Sequence, residues 1–254
     1  MNNKEEIVQI TEAIVLVTGA NGDIGQHYIE ALQAAGVTKI YAAARKIDSL
    51  SEIVAADPDR TVAVELDITD ADAIAAAAKQ CSDVTLLINN AGIGLMQTFI
   101  STEDISSARK EIEVNYLGTL SMCRAFAPVL KNNGGGAIIN MLSILGKINF
   151  PMNASYSASK AAEMSMTQGV RAELKEQGTL VIGVMPGTVD TRGSAHFPQP
   201  KVSPETVVKD ALQAVAEGVE DVYPGDQAKE MNKQLQADPK MLEKEMAKMI
   251  SKAG

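Results

Sequence analysis

Short apolar runs alternate with longer amphipathic stretches along most of this chain. Each run has the length of a strand and is apolar at successive positions, as strands buried on both faces of a sheet are. The runs are residues 13–20, 39–45, 61–67, 84–92, 136–143, 179–187 and 221–225. The pattern therefore predicts about seven strands.

The stretches between these runs have the spacing of amphipathic helices. Residues 25–36, 70–81 and 105–132 show it most clearly. A chain in which strands alternate with helices favours parallel pairing with right-handed crossovers. We therefore predict an α/β fold, a doubly wound parallel sheet with helices on both of its faces.

No Pro-rich or Ser-rich linker and no internal repeat divides the chain, so we predict a single domain over residues 1–254. Its tail, about residues 226–254, is charged and rich in methionine. That pattern predicts one or two amphipathic helices, separated near Pro239 because proline disfavours helical geometry in the residue before it.

Composition excludes several classes of protein. A net charge of −9 over 254 residues argues against binding nucleic acid through a broad basic surface. Two distant cysteines and two lone histidines form neither a disulfide framework nor a cluster of metal ligands. The first apolar run is too short for a signal peptide or a membrane span. We expect a cytoplasmic protein with no metal and no membrane partner.

A glycine-rich loop, VTGANGDIG, follows the first predicted strand and opens the first predicted helix. Gly19, Gly22 and Gly25 would allow a tight turn, close approach of the backbone to a phosphate, and close packing of helix on strand. The free N–H groups at the start of a helix bind anions. The loop predicts a nucleotide site, with a plain strand-to-helix turn as the alternative. Asp23 would repel a phosphate, so we expect its carboxylate to point away.

The second predicted strand ends in AAARK. A carboxylate at this point would bind the ribose 2′-hydroxyl of NAD. Ala44 stands there instead, and Arg45 and Lys46 add positive charge that suits a 2′-phosphate. The sequence predicts NADP(H) in preference to NAD(H), although two solvated basic residues would give the same pattern.

Tyr156 and Lys160, in YSASK, are four residues apart in a run that suits a helix. That spacing places them one above the other on one face. A phenol has an ordinary pKa of about 10, and a nearby ammonium favours its ionised form. The pair therefore predicts an acid–base couple, or, more simply, a surface pair. Ser143 ends the fifth predicted strand, at the edge of the sheet where such folds bind ligands.

Seven motifs of the chain follow the order and strand context of one known family. They are TGANGDIG, Leu66–Asp67, NNAG at 89–92, Val114–Asn115, Ser143, YSASK and PGTVDT at 186–191. Over about residues 10–225 the chain resembles the short-chain dehydrogenase/reductase family in its short single-domain type, which has a Rossmann-type sheet. The spacing TGxxGxxG departs from the TGxxxGxG usual in that type and resembles the longer sugar-nucleotide-modifying members.

The resemblance implies a role for each matching position. The catalytic residues would be Asn115, Ser143, Tyr156 and Lys160. The cofactor-binding residues would be Gly19, Asn21, Gly22, Asp23, Ile24, Arg45, Asp67, Ile68, Asn90, Ala91, Gly92, Tyr156, Lys160, Pro186, Gly187, Val189 and Thr191. Tyr156 would serve as the acid or base, Lys160 would also hold the ribose, and Asn115 would hold a water that relays protons to the lysine.

The function that this resemblance implies is an NADP(H)-dependent oxidoreductase that interconverts a ketone or aldehyde with an alcohol. Two alternatives stay open: an NADP(H)-binding sensor or scaffold without turnover, and a sugar-nucleotide epimerase or dehydratase. The resemblance also implies a homodimer or homotetramer paired through residues 105–132 and 155–177. Met152, His196 and Phe197 are either substrate contacts or, as we expect, plain loop residues beside an open site.

Overall fold

Seven parallel strands form one sheet in a computed structural model that describes residues 9–250. Residues 1–8 and 251–254, the ends of the predicted domain and tail, lie outside the described part. The strands are β1 (Ile14–Thr18), β2 (Lys39–Ala44), β3 (Thr61–Glu65), β4 (Leu86–Asn89), β5 (Ala137–Met141), β6 (Leu180–Val184) and β7 (Asp221–Val222). Their spatial order is β3-β2-β1-β4-β5-β6-β7, a Rossmann-type sheet, so the predicted fold class is confirmed.

The order of the strands reverses beside β1. Val17 of β1 pairs with Ala42 of β2 on one side and with Ile88 of β4 on the other. The connections from β1 therefore leave in opposite directions, and a crevice opens outside the carboxyl ends of these strands. The glycine loop, the end of β2 and the segment after β4 all lie at this edge.

Nine helices lie among the described residues. They are α1 (Asp23–Ala35), α2 (Ser51–Ala56), α3 (Ala71–Gln80), α4 (Ser106–Glu111), α5 (Thr119–Asn132), α6 (Ala154–Leu174), α7 (Pro204–Glu217), α8 (Gly225–Ala237) and α9 (Pro239–Ala247). Helices α1 and α7 contribute to a core on one face of the sheet. Helices α3 and α5 contribute to a second core on the other. The inner strands are apolar on both faces because each face is covered.

The long helix predicted over residues 105–132 is interrupted. Between α4 and α5 the chain is π-helical over Ile112–Gly118. The backbone of Gly118 packs closely on Ile68, because a Cβ added at Gly118 would stand 2.9 Å from the Ile68 Cδ1 atom. The periodicity of the sequence does not show this irregularity, which arises where the helix meets the segment after β3.

The predicted strands extend beyond the observed ones at their carboxyl ends. Residues 90–92, 142–143 and 185–187 belong to the loops that follow β4, β5 and β6. The apolar run at 221–225 gives a strand of only two residues, Asp221–Val222. Apolar side chains continue past the last hydrogen-bonded pairs of the strands because these loops line the crevice and do not face the solvent. In the tail, α9 begins at Pro239, and Asp238 caps it by accepting the N–H of Met241 at 2.9 Å.

Within residues 9–250, no helix combines the length and the apolarity that crossing a membrane requires.

Candidate active site

The glycine loop joins β1 to α1 with very little space around its backbone. Gly19 has a φ of +64°, and a Cβ there would approach the Ala91 Cα to 3.0 Å. A Cβ at Gly25 would lie 2.2 Å from the carbonyl oxygen of Gly19. Gly22 stands at the N-cap of α1 and has no side chain to cap the N–H groups of the first turn. The loop thus offers backbone donors and room for a phosphate.

Asn90 fastens the segment after β4 to this loop. Its side-chain amide donates to the carbonyl oxygens of Thr18, at 3.0 Å, and Gly19, at 3.1 Å. The Thr18 hydroxyl in turn accepts the N–H groups of Asn90 and Ala91, each at 3.0 Å. Thr18 was not among the predicted site residues, although it is the first residue of the glycine motif. The two loops form one hydrogen-bonded unit.

The end of β2 carries positive charge beside the glycine loop. Arg45 and Lys46 are both exposed. Asn21 reaches this region by donating to the Ser49 hydroxyl at 3.1 Å. Hydrogen bonds from Thr69 lower the pKa of Asp67 against a smaller opposing effect of burial, and the charge of Arg45 lowers it further. The end of β2 therefore places an exposed guanidinium and an exposed ammonium beside the glycine loop.

The carboxylate of Asp23 is bound by a cation. Its Oδ1 atom accepts from the Arg192 Nε at 2.6 Å, and its Oδ2 atom accepts from the Arg192 backbone N–H at 2.7 Å. Arg192 belongs to the segment after β6. The residue that departs from the usual glycine spacing therefore connects the start of α1 with this segment.

Two other predicted cofactor residues pack inside the protein. Ile24, partly buried in the first turn of α1, packs against the core on that side of the sheet. Ile68 is buried and lies against Gly118. Their packing supports the backbone at the edge of the crevice.

Tyr156 and Lys160 lie one turn apart near the start of α6, as their spacing predicts. The Lys160 Nζ atom is 5.8 Å from the centre of the Tyr156 ring. Lys160 is buried and Tyr156 partly buried, so the pair is not a solvated surface pair. Ser143 follows β5 with its hydroxyl accepting the Leu145 N–H at 3.2 Å. A Cβ added at Gly94 would stand 3.3 Å from the Tyr156 ring, which places the segment after β4 over the phenol.

The pKa of Tyr156 is raised, contrary to the expectation that Lys160 would lower it. Burial is the largest influence and raises this pKa above its ordinary value. The Lys160 ammonium acts in the opposite direction and is outweighed, while the carboxylates of Glu163 and Glu111 add to the rise. The phenol therefore keeps its proton near neutral pH.

Asn115 is fully buried in the π-helical segment, so it is not a solvated helix residue. Its side-chain amide donates to the Ile93 carbonyl at 2.8 Å and to the Ser159 hydroxyl at 2.9 Å. Its Oδ1 atom accepts the Ile93 N–H at 2.8 Å. Asn115 thus fixes the segment after β4 against α6, close to the tyrosine and the lysine.

Glu163 and Glu111 were missed by the sequence analysis. Glu163 accepts from the Lys160 ammonium at 2.7 Å and is buried with it. Glu111, also buried, accepts the Leu95 N–H at 2.7 Å. A signal for Glu163 was present, because Tyr156, Lys160 and Glu163 stand at positions i, i+4 and i+7 of one helix face. No such local signal exists for Glu111.

The segment after β6 closes one side of the crevice. Pro186 accepts the Ile144 N–H at 3.0 Å through its carbonyl, which ties this segment to the turn after Ser143. The Gly187 backbone approaches Gln227 of α8, since a Cβ at Gly187 would lie 2.4 Å from the Gln227 Oε1. Val189 is buried and forms an isolated parallel β-bridge with Val202.

Aromatic rings bring the ends of two loops together at the rim of the crevice. Thr191 starts a short turn that it shares with Ser194 in a capping box. Beyond it, the rings of His196 and Phe197 are 4.4 Å apart, and those of Phe150 and Phe197 are 6.4 Å apart. The segment after β6 therefore meets the loop before α6, where Met152 also lies.

The glycine loop, a buried lysine with a partly buried tyrosine, and a serine thus share one edge of the sheet. A profile of the short chain dehydrogenase family matches residues 13–201. The chain belongs to this family.

Named members of the family resemble the chain over most of its length. Dehydrogenase/reductase SDR family member 7B of Mus musculus is 33% identical over 198 residues, which cover 74% of this chain and 61% of that protein. An uncharacterized oxidoreductase of Staphylococcus saprophyticus is 30% identical over 220 residues, covering 82% of this chain and 93% of that protein. A short chain dehydrogenase from Burkholderia cenocepacia, solved in complex with NADP, is 45% identical with a TM-score of 0.89, covering 94% of this chain and 99% of that one.

Proposed function

We propose that this protein is an NADP(H)-dependent oxidoreductase that interconverts a ketone or aldehyde with an alcohol. The observation that carries the proposal is the Tyr156–Lys160 pair, with Nζ 5.8 Å from the ring centre, at the edge of the sheet where the glycine loop also lies. Ser143 follows the neighbouring strand at the same edge. A proton donor, a hydrogen-bond donor and a nucleotide site together meet the needs of carbonyl reduction.

Each side chain of the pair has a distinct task in this proposal. Bound NADPH would supply the hydride for the carbonyl carbon. Tyr156, which holds its proton, donates it to the carbonyl oxygen. Ser143 donates a hydrogen bond to that oxygen and stabilises the charge that develops on it. Lys160 places its ammonium beside the phenol and the ribose, and Asn115 keeps the segment over the site in place.

The preference for NADP(H) rests on charge at the end of β2. Arg45 and Lys46 are exposed there, and Ala44 offers no carboxylate to a ribose 2′-hydroxyl. Asn21, which is not basic, is the glycine-loop residue that points to this region, so the preference depends mainly on Arg45. The NADP complex of the Burkholderia relative agrees with this choice.

Binding and turnover of the purified protein test the proposal. NADPH and NADH are titrated separately by the fluorescence of the reduced nicotinamide, and NADPH oxidation is then followed against a panel of ketones and aldehydes. Thermal unfolding is measured in parallel with nucleotide-sugars, because an epimerase or dehydratase consumes no NADPH overall. We expect tighter binding of NADPH and turnover of at least one carbonyl. Tight binding without any turnover would favour the sensor or scaffold, and a shift in thermal stability with nucleotide-sugars would favour the epimerase or dehydratase.

The protein is also proposed to pair with copies of itself through α5 and α6. A groove of about 430 Å³ lies between the π-helical segment, α5 and α6. Tyr116, Leu120, Met166 and Val170 line it, and Gly169 has open space where a side chain would stand. A groove between two long helices with these apolar side chains in its lining is suited to helix packing against a second subunit.

A further inference from the structure

A buried ion pair stands directly behind the proposed acid. The side chains of Lys160 and Glu163 are only 5% and 1% exposed, and Nζ lies 2.7 Å from Oε2. The ammonium also donates to the Met141 carbonyl at the end of β5, at 2.7 Å. An ammonium has three N–H donors, and these two contacts use two of them. Two fixed partners therefore determine where the charge of Lys160 lies.

The carboxylate of Glu163 is itself held from a second element. Its Oε1 atom accepts the hydroxyl of Thr119, the first residue of α5, at 3.2 Å. Burial raises the pKa of Glu163, whereas the ammonium and this hydroxyl favour the ionised form. The Lys160 ammonium donates to one oxygen of Glu163 and the Thr119 hydroxyl donates to the other, which is the geometry expected of an ionised carboxylate.

Four other ionisable groups lie near the Glu163 carboxylate or belong to the Tyr156–Lys160 pair. Tyr156 and Lys160 stand on the same helix, Glu111 approaches the phenol from α4, and Cys123 approaches Glu163 from α5. Burial, with a smaller contribution from Glu163, raises the pKa of the Cys123 thiol to about 12, so the thiol stays neutral. Burial is the largest influence on Lys160 and acts to lower its pKa, but the charge of Glu163, the charge of Tyr156 and the hydrogen bond to Glu163 together outweigh it, so this pKa is raised.

We propose that Glu163 is a positioning residue, which holds the Lys160 ammonium against the Met141 carbonyl and keeps both Tyr156 and Lys160 protonated for proton donation. This inference rests on the proposed function, because it describes how the same site is kept ready to reduce a carbonyl. Glu163 touches neither substrate nor cofactor in this role, and it acts only through Lys160.

The sign of the effect on pH dependence does not depend on which member of the couple loses its proton first. Tyr156 and Lys160 titrate as a coupled pair, and reduction needs both protons in place. A negative charge next to the pair makes removal of the first proton harder. Replacing that charge with a neutral amide therefore makes the first proton leave at lower pH. The rate of reduction should then fall at lower pH than in the wild type.

The test compares Glu163→Gln, Glu163→Asp and the wild type in kcat/KM for NADPH-dependent reduction as a function of pH. Glu163→Gln should move the alkaline fall of the profile to lower pH by about one unit, which is roughly a fivefold loss relative to the wild type at the wild-type half-point. Glu163→Asp keeps the negative charge at a longer distance, so its profile should lie close to that of the wild type, with only a small shift to lower pH. Glu176→Gln, an exposed position just after the same helix and outside the groove between α5 and α6, is the matched control and should not move the profile.

A folded Glu163→Gln variant with the wild-type profile would overturn the inference, because a merely structural carboxylate changes stability and leaves the profile alone. If this variant does not fold, Glu163→Asp against the wild type decides: a smaller shift in the same direction supports the inference, and no shift overturns it.

The inference can also be separated from the proposed function. If the wild type reduces no carbonyl, NADPH affinity as a function of pH reports the charge of Lys160 instead. If Glu163→Gln loses its affinity for NADPH at a lower pH than the wild type does, the inference is supported even though the reductase proposal has failed. Coincident affinity profiles, or no binding of NADPH at all, overturn it.

Discussion

Asp23 and Arg192, 169 residues apart in the chain, are joined by two hydrogen bonds of 2.6 and 2.7 Å. One residue opens α1 beside the glycine loop, and the other belongs to the segment after β6. The contact spans the crevice in which we place the dinucleotide. It also explains how an acidic side chain is accommodated in the glycine loop, since its charge is offset by a guanidinium.

Removing this contact should weaken cofactor binding modestly. Arg192 is 79% exposed, and exposed ion pairs contribute about 0–1 kcal/mol, so Asp23→Ala should raise the Kd for NADPH by about fivefold at most. The difference should shrink at high ionic strength because salt screens the pair. Fluorescence titration measures it, with Glu30→Ala on the exposed side of α1 as the control. Tighter binding by Asp23→Ala would show instead that Asp23 repels the phosphates.

Arg45→Ala should weaken NADPH far more than NADH. A guanidinium bound to a phosphate contributes a charge-assisted hydrogen bond of about 1.5–3 kcal/mol, hence a loss of roughly tenfold or more for NADPH. NADH, which lacks the 2′-phosphate, should lose little. Separate titrations with the two nucleotides measure the ratio, and Arg109→Ala, an exposed arginine on α4, is the control. Equal losses for both nucleotides would remove Arg45 from the proposed preference.

Tyr156→Phe should bind NADPH as the wild type does and lose turnover by about a hundredfold or more, because it lacks only the proton donor. Steady-state rates and a fluorescence titration on the same preparation give the two values. The phenyl ring keeps the packing of the phenol, so the unfolding temperature should change little. A variant that retains full activity would exclude Tyr156 as the acid.

Gly25→Ala should destabilise the protein and abolish NADPH binding. The added Cβ would lie 2.2 Å from the Gly19 carbonyl oxygen, and a backbone atom cannot move aside without deforming the loop. Crowding of this kind costs about 1–3 kcal/mol or more. Thermal unfolding and NADPH titration measure the two effects.

Gly169→Ala is the matched control for this substitution. It is the same change inside a helix where no atom lies within 4 Å of the new Cβ, and alanine favours the helix by about 1 kcal/mol. This control should leave NADPH binding intact and unfold at the same temperature or slightly higher. A Gly25→Ala variant that behaves in the same way would contradict the proposed role of the loop.

Gly169→Arg should break the proposed pairing of subunits. The position opens onto the groove between α5 and α6, so a guanidinium there would obstruct a second helix without disturbing its own. Analytical ultracentrifugation should find a wild-type dimer or tetramer and a folded monomeric variant. A wild type that is monomeric, or a variant that keeps its oligomeric state, would contradict the proposed interface.

The pattern of residues along the chain determined the strands, the fold class and the tyrosine–lysine pair. Each of these depends on spacing within one segment. An apolar run indicates a buried strand, and Tyr156 and Lys160 share a helix face because they are four residues apart. The glycine loop was also predictable, since its glycines are close together in the sequence, although Asn90 and Ala91 from the segment after β4 hold it in place.

Tertiary structure alone decided the contacts that set the charge and shape of the site. Asp23 contacts Arg192, Asn115 binds the loop after β4, and Glu111 lies near the phenol. All three contacts exist only because separate elements pack together. Burial reversed the expected change in the pKa of Tyr156, and burial depends on every element that covers a side chain. Local periodicity records which face of an element is apolar, but a contact between distant residues follows from the packing of the whole sheet and its helices.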